Sequence, residues 1–393
     1  MPSRQELGAS PILFAGWGCA LLYVLSFRDR VSIHWLLPVC AGLVIRAMFI
    51  DTPPLFSDDL YRYAWEGMVF SAGENPLLSS PDTLATLDPS LHGKVNHSQI
   101  SSIYPPMAQW WFWLLHQAGG QVATLQLLTS VVDVLIILII TGILFKQGRS
   151  LFWALCYALH PLPVVESAVS AHVEFVALML ALLGLSASRH QLFAIPLTIL
   201  AAAVKLFPAL WLPQLIRQNT RRQTLWGLAG GIIALGAIST PFLTTDVNAL
   251  SGFMAFSNHW EFNGFSYPWM SVFFGTSTRT VLMTIAGLAS IFVMLKVKDP
   301  TTAWYWFGLI FVLCSPTMHP WYGLWLLIPA ILLQRRESAL ASVGFLFSYG
   351  VFVGYSEPTE TWIEPVWLWW ITWVPVATLL AVDGLRHFIP TER

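Results

Sequence analysis

The sequence predicts an all-α, polytopic integral membrane protein with about 11–13 transmembrane helices. Charged residues make up 10% of the chain, against roughly 25% in soluble domains. Apolar residues reach 56% and the mean hydropathy is +0.63. Such a composition cannot cover a water-soluble surface. The third observation is the recurrence of apolar runs, because a span needs about 20 apolar residues, fewer where the segment is re-entrant.

In chain order these runs lie near 9–27, 31–50, 121–145, 150–165, 174–187, 191–203, 204–216, 224–243, 279–297, 301–315, 320–334, 338–355 and 364–384. Only Arg4 and Glu6 precede the first, and no small-residue cleavage site is evident, so it reads as a retained span. Pro53-Pro54 ends the second run and opens a long loop over 51–120. Residues 106–120 pose a choice between a span and a helix lying along the surface. If they lie on the surface, the clusters Arg28/Arg30, Lys146/Arg149, Arg189, Arg217/Arg221/Arg222, Lys296/Lys298, Arg335/Arg336 and Arg386/Arg393 all fall opposite that loop. The positive-inside rule then makes those clusters cytoplasmic and the loop extracytoplasmic. Trp110, Trp111 and Trp113 suit an interfacial helix as well. Lys205 forces a further break, because one helix over 191–215 would place it in mid-membrane. Two short segments with Lys205 at their outer turn avoid that. The chain therefore reads as one transmembrane domain over 1–393, in the cell membrane, with its chemistry on the outer face. The outer loops include 51–120, 244–278 and an acidic turn at 356–364.

A net charge of −1 and the lack of a basic tract give no reason to expect nucleic acid as a partner; membrane lipids are expected. Cys19, Cys40, Cys156 and Cys314 sit in apolar runs without metal-ligand spacing and read as core residues. No Gly-rich nucleotide loop is present, which argues against ATP or a soluble nucleotide-sugar donor. No cofactor is expected, a divalent cation included.

Four constellations could carry chemistry. Ser57 reads as an N-cap for a helix over 58–71 closed by Gly73. On it Asp58 and Asp59 occupy the first turn, where the helix dipole favours carboxylates, and Arg62 lies at helical spacing from both and from Glu66. Spacing alone leaves two readings open: a general base for a hydroxyl acceptor, or a solvated ion-pair surface. The second constellation is His160-Pro161-Leu-Pro163 with Glu166, His172 and Glu174, either a substrate-facing polar pocket or a turn whose groups satisfy one another. The third is Lys205 in Lys205-Leu-Phe-Pro208, a phosphate partner or a lysine snorkelling to the headgroups. The fourth is His319-Pro320-Trp321-Tyr322, suited to a sugar or phosphate and equally to an interfacial anchor. Asp133 reads as pairing structurally with another helix, and Asn96-His97-Ser98 as a chance match to a glycosylation acceptor.

Together the pieces resemble the GT-C superfamily of membrane glycosyltransferases, most closely the bacterial polyprenyl-phosphate-mannose-dependent mannosyltransferases. The carrying residues are Asp58-Asp59-Leu-Tyr61-Arg62-Tyr63-x-Trp65-Glu66-Gly67, Gly73-x-Asn75-Pro76, Ile103-Tyr104-Pro105-Pro106, His160-Pro161, Glu166, His172, Lys205-Leu-Phe-Pro208 and His319-Pro320-Trp321-Tyr322. The resemblance implies a polyprenyl-phosphate sugar donor, a glycan or glycolipid acceptor, and an inverting transfer of mannose. It implies Asp58 as base with Asp59 as helper. Lys205, Arg62, His319 and Tyr104 are then expected at the donor phosphate, and Glu66, His172, Glu174 and Trp321 around the acceptor or pocket. Two departures stand out: Glu66 where the family pattern has Asp, and an additional N-terminal span. The competing class is a transporter or flippase of lipid-linked sugars, which predicts internal repeats and midplane charges; no clear repeat is visible.

Overall fold

A computed structural model describes residues 10–25, 32–188, 190–354 and 364–388. The basic residues Arg28, Arg30, Arg189 and Arg393, and the acidic turn except for its last residue Glu364, lie outside these. The protein is all-α. Among the described residues the β-type pairing consists of isolated bridges from Phe262 and Asn263 to Thr317.

Four of the described helices are long and apolar enough to cross a membrane: Val122–Lys146, Arg221–Phe242, Tyr267–Lys296 and Val366–His387. The broken pair Phe152–Leu159 and Pro161–Val169 makes a fifth if it acts as one span. Six other apolar helices are only 10–17 residues long. Among the described residues, then, four to five helices reach full membrane length and six apolar helices are shorter. Proline and charge interrupt the runs. The run at 204–216 folds as a tight turn Phe207–Trp211 and a short helix Leu212–Arg217. The run at 338–355 changes from the α-helix Arg336–Gly344 to a 3-10 stretch Phe345–Gly354. In the opposite sense, the expected loop at 244–278 contains the helix Tyr267–Phe274, which prolongs the apolar run behind it.

Contacts gather into two compact units made of alternating segments. One comprises Met1–Gly42, Ile140–Val164 and Glu261–Arg393. Its core includes Trp304, Tyr305, Phe307, Phe345 and Trp373, all at most 2% exposed. The other comprises Leu43–Ile139 and Val165–Trp260 and contains most of the chemistry-bearing residues. There the Val122–Lys146 helix turns Leu125, Ile136 and Ile137 inward and leaves Leu127, Val131 and Leu138 exposed, as a lipid-facing helix does. Asp133 on that helix is fully buried and accepts from Arg46 Nε at 2.7 Å, the structural pairing expected for it.

Residues 106–120 fold as the 12-residue helix Pro106–Gln117, which packs on the helix Asp59–Ser71. The approach is close at Gly67, where a Cβ would come within 2.1 Å of the Phe112 carbonyl oxygen. Only glycine fits there, and Tyr63 stacks on the Phe112 ring one turn away.

Candidate active site

The helix Asp59–Ser71 begins one residue later than its spacing predicts. Asp58 holds the N-cap position without a side-chain cap, and the Ser57 hydroxyl accepts from the Asp59 amide at 3.3 Å. Gly73, at φ +85°, closes the helix in the left-handed region as expected. Its inward face carries Arg62, Tyr63 and Glu66.

Glu66 is the keystone of this wall. Its carboxylate, 1% exposed, accepts from Arg62 Nε at 2.7 Å, Ser102 Oγ at 2.6 Å and Gln109 Nε2 at 2.8 Å. Three segments are thereby tied to one buried charge, whose hydrogen bonds offset its desolvation. Arg62 in turn donates to the backbone carbonyls of Asn96, His97 and Ile100. Its guanidinium is thereby engaged by Glu66 and the loop carbonyls. What Arg62 holds in place is the loop that presents Asn96. The Asn96 amide donates to Asp58 Oδ1 at 3.2 Å and Asp59 Oδ1 at 2.7 Å, one hydrogen to each carboxylate. The amide orientation follows, since its oxygen would repel both.

The second wall comes from the chain after Pro161 and Pro163. A π-helical turn Val165–Val169 and a positive φ at Ala171 (+52°) reverse the backbone, and the His172 amide closes back on the Glu166 carbonyl at 2.9 Å. Gln126 braces this reversal by donating to the Val169 carbonyl. His172 is fully buried among three carboxylates. Its Nε2 lies 3.3 Å from Glu166, and its Nδ1 lies 3.9 Å from Asp59 and 4.0 Å from Glu174. The Tyr63 hydroxyl also reaches Nδ1, at 3.2 Å.

The third element is Lys205. The helix Gln191–Ala202 ends before it, so Lys205 falls in a break, as the two-segment reading requires. Met107 N donates to the Ala203 carbonyl and docks this break at the start of the Pro106–Gln117 helix. The ammonium lies 2.8 Å from Glu174 Oε1 and 5.1 Å from the centre of the Tyr104 ring. Tyr104 donates to Tyr63 at 3.4 Å, linking Lys205 to the His172 side.

Charge explains how these groups behave. Removal from water pushes the Asp59 carboxyl up from 3.8 to about 6. The Asn96 bond pulls it back, the neighbouring Asp58 and Glu174 push it further, and Lys205 opposes them. With 22% of its side chain exposed, Asp59 is reachable from outside. Burial, followed by nearby anionic groups, drives the Tyr63 and Tyr104 hydroxyls well above the ordinary tyrosine range, so both stay protonated donors. Among the described residues, no group of three or more His, Cys, Asp or Glu is placed to hold a metal ion.

The fold therefore brings together Asp58, Asp59, Tyr104, His172, Glu174 and Lys205. Arg62 and Glu66 stand behind them. His319 and Trp321 belong to the other unit, where His319 stacks between Phe262 (4.9 Å) and Trp321 (4.4 Å). His160 is also in that unit, its Nε2 within 3.0 Å of the Ala339 carbonyl. Sequence reasoning missed Asn96, Tyr63, Ser102 and Gln109. The only signal for Asn96 was the glycosylation-like triplet, which pointed elsewhere.

An all-helical membrane protein with a carboxylate pair facing a histidine and a lysine across a buried cluster fits the class of membrane group-transfer enzymes. The model of the alpha-(1->6)-mannopyranosyltransferase N-terminal domain family matches residues 12–220, a stretch that contains the whole cluster. The match covers more than half of the 393 residues, and the chain belongs to this family of mannosyltransferases. No curated protein matches the chain.

Proposed function

We propose that the protein transfers mannose from a polyprenyl-phosphate carrier to a hydroxyl of a glycan or glycolipid, at the extracytoplasmic face of the cell membrane. One observation carries this reading. Asp59, His172, Glu174 and Lys205 form a continuous line of contacts of 3.9, 4.0 and 2.8 Å, so a base and a cation share one cluster.

In the proposed reaction the acceptor oxygen attacks the anomeric carbon while the bond from that carbon to the phosphate oxygen breaks. The hydroxyl proton passes to the aspartate pair, and the electron pair leaves with the polyprenyl phosphate. Configuration inverts, so an α product implies a β-linked donor. The family resemblance implies Asp58 as base. The geometry supports Asp59 in that role, with Asp58 raising its proton affinity, because a base at about 6 takes a proton better than an ordinary carboxylate. Lys205, stacked over Tyr104, would stabilise the charge that develops on the leaving phosphate. That ammonium removes the need for a divalent cation, and transfer is expected to survive chelator.

The test is a cell-free assay with polyprenyl phosphomannose. Asp59→Asn is expected to lower the rate about 10²–10⁴-fold while the protein still folds, with a smaller loss in Asp58→Asn. Undiminished transfer in both variants would end the proposal; loss confined to Asp58→Asn would return the base to Asp58. Sidedness is checked with Lys94→Cys in a cysteine-free background, which an impermeant reagent should label from outside only.

A further inference from the structure

Glu174 has no assigned part in the transfer chemistry, yet its placement is unusual. It stands in the first turn of the helix Glu174–Ser186, 1% exposed. Among the described residues, neither of its carboxylate oxygens accepts a well-aligned hydrogen bond. Its charge is balanced by the Lys205 ammonium at 2.8 Å, and His172 Nδ1 lies farther off at 4.0 Å. Glu66, equally buried, instead collects three hydrogen bonds. Glu174 therefore depends on Lys205 where Glu66 is shared among three donors.

We propose that Glu174 is a placeholder anion for the donor: it holds Lys205 in position and competes with the donor phosphodiester for the same ammonium. The inference rests on Lys205 receiving that phosphate. Lys205 is 21% exposed at its side chain while Glu174 is closed off, so an incoming anion reaches the lysine from the open side without passing the glutamate. When the phosphodiester takes the ammonium, Glu174 becomes a buried charge with a weakened counter-ion, a cost to donor binding that a neutral amide at this position would not impose.

The experiment is equilibrium binding of radiolabelled polyprenyl phosphomannose to the full chain in detergent, read separately from turnover. Glu174→Gln is expected to bind the donor roughly three- to tenfold more tightly at pH 7.5. Inorganic phosphate at the same concentration should compete weakly, because it lacks the lipid and sugar contacts. Glu174→Asp, which withdraws the charge by one methylene, serves if the amide variant does not fold, and should again bind more tightly. Unchanged or weaker binding in these variants overturns the inference. Lys205→Met separates the two layers. If it leaves donor binding intact, the phosphate reading of Lys205 itself fails. If it weakens binding while Glu174→Gln does not strengthen it, that reading stands and the placeholder role is wrong.

Discussion

Buried acids occur in two settings in this molecule. Asp133 and Asp383 are each fully buried and each matched to one guanidinium at 2.7 Å, from Arg46 and Arg335 respectively. Asp383 gains the Tyr305 hydroxyl at 2.9 Å as well. Around His172, by contrast, three carboxylates crowd within 4.0 Å of one imidazole, and the ammonium among them is that of Lys205. Charge in a membrane protein is expensive, so the matched pairs are what a scaffold builds. A surplus of acid persists only where something other than stability is selected, which is where a reaction or a ligand belongs.

The comparison breaks first if the matched pairs prove dispensable. Asp133→Ala leaves the Arg46 guanidinium, 1% exposed, without its carboxylate. It should cost about 3–5 kcal/mol of stability. Thermal unfolding in detergent measures this, while the protein that remains folded keeps its transfer rate. An unchanged melting temperature would show that Asp133 is not scaffolding.

The two settings were not equally legible in the sequence. The helix Asp59–Ser71 was, because its signals are local: Pro53-Pro54 before it, Ser57 at its start, Gly73 beyond its end. The break at Lys205 was legible too, since a charge and Pro208 cannot sit quietly inside an apolar run. The partners were not. Helical spacing offered Arg62 three carboxylates, and tertiary packing chose Glu66 because loop carbonyls 34–38 residues away needed the other nitrogens. Asn96 lies 37 residues from Asp59 in the chain, beyond any periodic pattern. The lengths of the individual helices were hidden for a related reason. Hydropathy records how apolar a stretch is, not whether Pro196, Pro208 or a 3-10 segment lets it run straight.

A sharper form of the comparison predicts opposite stability effects. The Asp59 carboxyl is held at about 6 in the fold, above its ordinary 3.8. Its ionised form is therefore less favourable folded than unfolded, and the penalty is complete above pH 6 and absent below about pH 4. Asp59→Asn should stabilise the protein by about 1–3 kcal/mol at pH 7.5, the reverse of Asp133→Ala, while lowering the transfer rate about 10²–10⁴-fold. The gain should vanish by pH 4. Melting curves at both pH values decide it, and destabilisation at both would mean that Asp59 is a scaffold acid like the others.

The smallest effect is the most specific, because it concerns one amide. Asn96 gives a hydrogen to each aspartate, and its bond lowers the proton affinity of Asp59. Asn96→Ala removes that bond and leaves the two carboxylates to repel each other without a bridge. The acid limb of kcat/KM, expected near pH 6 in the wild type, should then move up by about one unit. Transfer would fall severalfold near pH 6.5 and recover towards pH 8.5, where Asp59 is ionised in either protein. A loop disturbed only in shape would lower the rate equally at every pH, so a uniform loss would strip Asn96 of its role in tuning the pair.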